Sequence, residues 1–343
     1  MSKKKVDKKP MISVGGQALI EGIMMQGPKG AAMSVRLPDG KIETEGLEVK
    51  HIRDKFKPAG WPLIRGVFNM IESLLFGYKC MEKSAEKIGL DDDSDPEKMS
   101  KLDKWISDHF GPKMMAVVTG ISLVLGLALA FGLFFFLPTF LVELVDDHLF
   151  KTFDFTTFHP LFAGILRMVI FIAYIWIVSL VPDIKRVFMY HGAEHKSIFC
   201  YEAGLPLTVE NVKKQKRFHP RCGTSFIFVI LIINILITSL IVVAFPELGK
   251  DENRILWTAI RFSIIPLTVG IGYEFIKFAG KHDNFFVRLL AAPGILMQRL
   301  TTKEPTDDII EVGIESLKAV LDDIEKTSEN IEENTDKSEE ESN

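Results

Sequence analysis

Only three cysteines occur in the 343 residues, too few for a disulfide-stapled scaffold. No G-K-[ST] follows the glycines Gly15, Gly16 and Gly22, so the glycine-rich start is not a phosphate-binding loop. No internal repeat is present, and no collagen-like period. Five lysines among the first nine residues lead into glycine-rich polar sequence rather than an apolar core, so no cleavable signal peptide is expected. A wholly disordered chain is excluded by the 47% hydrophobic content. Length alone allows about two domains, on a prior of roughly 150 residues each.

What is present is unevenly distributed. Residues 306–343 carry 14 acidic and 3 basic residues, a net of −11, whereas the whole chain has −4. A basic body of +7 therefore precedes an acidic tail. Four apolar windows reach the roughly 20 residues that a bilayer requires: Met114–Leu137 (continuing weakly to Val145), Leu161–Val181, Ser225–Phe245 and Ile255–Gly280. The fold class expected is an α-helical integral membrane protein of about four transmembrane helices with a small N-terminal β-containing cytoplasmic unit. Lysine and arginine crowd the 182–224 loop (Lys185, Arg186, Lys196, Lys213, Lys214, Lys216, Arg217, Arg221) and are sparse at 146–160 and 246–254. The positive-inside rule then puts that loop and both termini in the cytoplasm, in a multi-pass protein of the bacterial inner membrane. The three cysteines are expected to be reduced thiols.

The domain plan is a basic extension (1–10), a β-rich unit (11–60), an amphipathic helix and linker (61–112), the four-span domain (113–305) and an acidic helix and tail (306–343). In the β-rich unit, Met33–Leu37 and Lys41–Thr44 read as strands around a Pro38-Asp39-Gly40 turn. Trp61 to about Ile88 reads as a helix with Leu63, Val67, Met70, Ile71, Leu74 and Leu75 on one stripe, to lie on a membrane surface or pack on the β-unit. Residues 90–100 read as a polar linker. Phe285–Leu300 is too short to span and contains Pro293-Gly294, so it is expected to be interfacial or re-entrant. A helix is expected over 306–323 and disorder beyond about Ile324.

The chemistry-bearing string is His191-Gly192-Ala193-Glu194-His195, an H-x-x-E-H pattern. Positions i and i+4 of a helix share a face, so both imidazoles can reach one metal while the adjacent carboxylate activates a water. Topology brings further donors to the same depth: His219 and Cys222 just before the third span, Glu274 near the cytoplasmic end of the fourth, and Glu202, about three turns from His191 on the same face. A catalytic set would use His191, His195 and Glu274 or Glu202, with Glu194 as base. A closed structural set would use His191, His195, His219 and Cys222. Mixed sets replace the carboxylate by His219 or Cys222. The metal expected is divalent, zinc first. The function expected is a zinc-dependent hydrolase facing the cytoplasm, acting on a membrane protein or a lipid-linked substrate; the alternative is a membrane scaffold with a structural metal. Arg167 and Arg261, inside the second and fourth spans, are expected to snorkel to the interface, and a transporter is favoured only if Arg167, Asn234 and Arg261 line one cavity. The Lys213–Arg217 run reads as a positive-inside determinant, with no nucleic-acid partner.

Several strings together resemble one family. Gly15 to Pro28 (GGQALIEGIMMQGP), His191–Lys196 with Tyr201-Glu202, His219–Phe226, Tyr273-Glu274, Pro293-Gly294 and Leu300-Thr301-Thr302-Lys303-Glu304-Pro305 are similar to signatures of the YqhQ-like bacterial membrane proteins, a domain of unknown function. The resemblance spans about residues 11–320. It implies an integral membrane protein with a metal site, and no substrate.

Overall fold

A computed structural model describes residues 14–28, 30–89, 112–149, 158–249, 251–279 and 284–322. The linker expected at 90–100 and the tail beyond Ile324 lie outside the described residues.

The chain begins with a four-stranded antiparallel meander, β1 (Gly15–Leu19), β2 (Gly22–Gln26), β3 (Ala31–Arg36) and β4 (Ile42–Leu47). Gly40 adopts φ +87° in the turn between β3 and β4, a conformation that costs glycine little. Side chains alternate between the two sheet faces, and here both faces are covered. Leu19, Met24, Ala31, Met33 and Val35 form one core with Cys80. Val14, Ile23, Met25 and Ala32 form the other, with Tyr190, Ala193 and Ile198 and with Ile309 to Val320. The sheet is thus sandwiched between the first long helix on one side and the motif helix plus C-terminal helix on the other. This double cover explains why β2 and β3 read as continuous apolar runs.

The first long helix, α1 (Ile64–Lys87), separates the two alternatives left open for its apolar stripe. Its apolar stripe does not pack on the sheet: Ile71, Leu74 and Leu75 face outward. The opposite, small-residue face packs instead, with Cys80 in the sheet core and the Ser84 hydroxyl donating to the Ile20 carbonyl. A Cβ on Gly66 would lie 2.6 Å from that of Tyr273, so α1 also docks closely on a later helix.

Four helices are long and apolar enough to cross a membrane: Gly120–Val145, His159–Val178, Gly223–Ala244 and Ile255–Ala279. The first is composite. α2 (Pro112–Phe131) passes through a π-helical turn, Gly132–Phe136, into α3 (Leu137–Leu149). α4 (His159–Val178) returns to α5 (Pro182–Glu202), the motif helix, which starts on a proline at a position where its missing N–H costs nothing. A single helical turn, Val209–Lys213, leads to α6 (Gly223–Ala244), then α7 (Arg254–Ala279), with Pro266 in its interior. α8 (Phe285–Thr301) is one continuous helix through Pro293, packed along α6, where Gly294 sits against Ser225 so closely that a Cβ would meet that residue at 2.7 Å. α9 covers 307–322 and closes on the sheet. The sheet, the 182–222 segment and α9 therefore gather at one end of the four long helices.

Candidate metal centre

The site is built where α5 is deeply covered. Residues Tyr190–Ile198 are all buried, including the charged Glu194 and Lys196. Such burial demands partners for every polar atom, and following them defines the site.

His191 Nδ1 lies 2.8 Å from the Thr301 carbonyl oxygen, and His195 Nδ1 lies 2.5 Å from that of Arg217. A carbonyl only accepts, so each Nδ1 carries a proton, and in the neutral ring the Nε2 keeps its lone pair. His191 Nε2 is 3.2 Å from Cys222 Sγ. His195 Nε2 is buried without a hydrogen-bond partner. The ligand atoms of His191, His195 and Cys222 all lie within 4.8 Å of one another. Two imidazoles oriented by backbone carbonyls, with the other nitrogens converging on a thiol, are the pattern of a soft-metal site with its supporting contacts in place. The donor set fits zinc: two imidazoles and one sulfur within reach of a common centre.

Three further features hold this geometry. The chain at 301–305 crosses α5 at Gly192, where a Cβ would stand 2.1 Å from the Lys303 carbonyl oxygen; only glycine lets the segment come this close. Lys303 N donates to the Phe188 carbonyl at 2.8 Å. The Gln298 side chain accepts from His219 N at 2.7 Å and donates to the His219 carbonyl at 2.7 Å and to Ser225 Oγ at 2.8 Å, which locks the His219–Cys222 loop onto α8. Lys196, 4% exposed, donates to the Lys213 carbonyl at 2.9 Å and pairs with Glu304.

Glu194 is buried beside this group on the sheet side of α5. A Cβ at Gly16 would touch its Cγ at 3.0 Å. Burial pushes its carboxyl up to about 7, against opposing contributions from His191 and a hydrogen bond from the Gly16 backbone. Burial likewise holds His195 below the ordinary imidazole range, so the ring is neutral and able to ligate.

The other sequence-derived candidates stand apart. Glu274 does not reach the group: Arg65 clamps its carboxylate in a two-pronged pair at 2.7 and 2.5 Å, and Leu63 N donates to it at 3.3 Å. Glu202 shares a face with His191, but 11 residues advance about 16 Å along a helix, and its carboxylate pairs with Arg221. His219 sits next to His195, with ring centroids 5.6 Å apart. Its Nδ1 accepts from Arg221 N at 3.3 Å and its Nε2 lies 3.7 Å from Glu202, which leaves it outside the close trio. All three cysteines, Cys80, Cys200 and Cys222, are free and buried. Thr301, Arg217 and Gln298 were not identifiable as site residues, because the first two act through backbone carbonyls. Among the signature strings, only the 300–305 segment pointed toward this part of the site.

The fold and site define a class: a chain with four helices of membrane-crossing length and apolarity, over a buried His–His–Cys group. The family described as Protein of unknown function (DUF1385) matches residues 61–323, and the chain belongs to it. It is 35% identical over 342 residues to the uncharacterized protein YqhQ of Bacillus subtilis (strain 168), a match covering 96% of this chain and 100% of that protein. No solved structure matches. Neither the family description nor the relative's name assigns a metal or a reaction.

Proposed function

We propose that this is a multi-pass protein of the bacterial cytoplasmic membrane whose His191–His195–Cys222 group binds zinc at the cytoplasmic face and serves a hydrolytic site with Glu194 as general base. Membrane insertion rests on the four long apolar helices, whose outward surfaces are rich in exposed Leu, Ile, Val and Phe. The cytoplasmic assignment rests on the end where the sheet, α5 and α9 gather, which is also where Lys and Arg concentrate. The lipid bilayer is then the first partner.

The observation that carries the metal is the tautomer pair: both Nδ1 atoms donate to carbonyls, and a buried Nε2 without a partner faces a thiol. His191, His195 and Cys222 would be three protein ligands to the ion, the ligand number of catalytic rather than structural zinc sites. A bound divalent cation supplies Lewis-acid polarisation of a carbonyl or phosphoryl oxygen. Glu194, with its carboxyl raised to about 7, is poised to take a proton from an attacking water and return it to the leaving group near neutral pH. The substrate class that fits this placement is a peptide bond of a membrane protein close to the membrane surface, or a lipid-linked ester or phosphate.

The test is complementation of a strain lacking the protein, read beside zinc content. Glu194→Gln is expected to keep zinc and lose function; full function in that variant would overturn the hydrolytic reading. A second reading, a scaffold with structural zinc, is favoured by one observation: the ligands tie α5 to the start of α6, and Thr301 at the end of α8 backs His191. Under that reading Cys222→Ala removes zinc and unfolds the protein, while Glu194→Gln is silent.

A further inference from the structure

Among the described residues, nothing covers the outer face of α1 and of the turn before it. Trp61, Ile64, Ile71, Leu74, Leu75 and Tyr78 are all exposed, Leu74 to 65% and Tyr78 to 67%. From Ile64 to Tyr78 these positions recur at the spacing of one helical stripe. Between Trp61 and Tyr78 the chain has only two charged residues, and each is paired with another element. Arg65 holds Glu274, and Glu72 accepts from Ile52 N and lies 2.9 Å from His51 Nδ1. Charge resumes at Lys79, while Arg53, Lys55 and Lys57 stand exposed before the stripe, against one acidic residue, Asp54.

The level of this face is set by α7. A Cβ on Gly66 would meet Tyr273 and Gly270, and one on Gly270 would meet the Leu63 backbone. Asn69 Nδ2 also donates to the Tyr273 hydroxyl at 2.7 Å. α1 therefore starts against Gly270–Glu274, about 8–14 Å along the axis before α7 ends at Ala279. The 26 residues of α7 extend about 39 Å, so a helix centred on a hydrocarbon core of roughly 30 Å projects about 4–5 Å at each end. The contact with α1 then falls about 3–9 Å inside the core boundary, close to the roughly 5–10 Å at which amphipathic interfacial helices settle. Pairing of Arg65 with Glu274 is what such a depth demands of ionisable groups.

We propose that α1 lies in the plane of the cytoplasmic leaflet, its 61–78 face against lipid chains and its flanking basic residues at anionic headgroups. The proposal rests on the membrane reading above and adds a lipid contact outside the four long helices. Three features select lipid over a protein partner. The face is continuous with a helix of membrane-crossing length through the α1–α7 contact. Trp61 and Tyr78 bound the stripe at its two ends, and such amphipathic rings favour the headgroup level. Arg53, Lys55 and Lys57 at one end and Lys79 at the other suit anionic phosphates. The consequence reaches the metal site. A Cβ on Gly272 would meet Phe226 and Ile230 of α6, so the α1 contact is about 6–12 Å deeper than Cys222. With α1 in the leaflet, the His–His–Cys group stands at headgroup level, where a lipid-linked substrate presents its polar end.

The test uses the full chain in vesicles of phosphatidylethanolamine and phosphatidylglycerol. Leu74→Cys, with Leu75→Cys as a second position, places a thiol on the stripe for a fluorescent label, the native Cys80, Cys200 and Cys222 being buried. Leu236→Cys, exposed on α6, reports the bilayer interior, and Lys41→Cys, exposed at the β3–β4 turn, reports water. The quenchers are phospholipids spin-labelled near the headgroup or near the chain end, and iodide on both sides of the vesicle. Support is iodide quenching at 74 about threefold or more weaker than at 41, with the shallow lipid label quenching 74 more than the deep one. Iodide quenching at 74 as strong as at 41, with 236 quenched by the deep label, overturns the proposal and leaves the membrane reading standing. Protection from iodide without quenching by either lipid identifies a covering protein, a second copy included, and also overturns it. Iodide reaching 236 as readily as 41 overturns the membrane reading and this proposal with it.

Discussion

Gly192→Ala is the smallest change that tests how the centre is held. The added Cβ would stand 2.1 Å from the Lys303 carbonyl oxygen. Carbon–oxygen contacts settle near about 3.3 Å, so the 301–305 segment must retreat by about 1 Å. The obstacle is backbone on both sides, so no side-chain rotation relieves it. The retreat stretches the Lys303 N–Phe188 O hydrogen bond and pulls the Thr301 carbonyl from His191 Nδ1. The first loss costs about 1 kcal/mol, and orphaning a buried imidazole N–H costs about 1–3 kcal/mol more. A total near 2–4 kcal/mol is expected, seen as a lower melting temperature. Freed of its carbonyl, His191 no longer presents Nε2 in one orientation, and loss of such a supporting contact weakens metal binding by about 10–100-fold. The assay is competition for zinc against a chelator of graded strength, alongside thermal unfolding, with Gly30→Ala as control because nothing lies within 4 Å of a Cβ there. Wild-type zinc affinity together with an unchanged melting temperature in Gly192→Ala would show that the 301–305 segment does not hold His191 in place.

Other outcomes follow from the same contacts. Glu194 has a folded-state value of about 7 against 4.5 for the unreacted group. An acid raised on folding holds more protons in the native than in the unfolded state between those values, so stability falls as pH rises through that window. Metal-free protein should therefore lose up to about 3 kcal/mol between pH 4.5 and 7 through this group, and the difference from Glu194→Gln measured across that range should show it. Glu274→Gln breaks the pair with Arg65, and is expected to lower the melting temperature while leaving zinc content unchanged; loss of zinc would return Glu274 to the ligand set.

Much of the architecture was legible because its signals are local. Helices as apolar as Gly223–Ala244 need no partner to be recognised, and the Pro38-Asp39-Gly40 turn carries its own backbone preference. The H-x-x-E-H spacing likewise placed two imidazoles on one helical face. What escaped was decided by remote chain. Depth and helical phase brought Glu274 and Glu202 into consideration, but Arg65 and Arg221 hold their carboxylates, and neither pairing has a sequence signature. Periodicity marked an apolar stripe on α1 without revealing that the small residues opposite would take the protein contacts. The acceptors that orient His191 and His195 are main-chain carbonyls, which any residue type supplies. Arg167, expected to snorkel, instead donates at 2.7 Å to the Phe134 carbonyl in the π-helical turn of another helix, and composition carries no trace of that turn.

The proposed function requires that His191, His195 and Cys222 share one metal ion. X-ray absorption at the zinc edge of the purified full-length protein tests it most directly. One zinc per chain is predicted, with one sulfur at about 2.3 Å and two imidazole nitrogens at about 2.0–2.1 Å, the sulfur signal vanishing in Cys222→Ser. Protein purified in the presence of zinc that holds no metal, or holds it with no sulfur in its shell, would show that these three residues are not a zinc site.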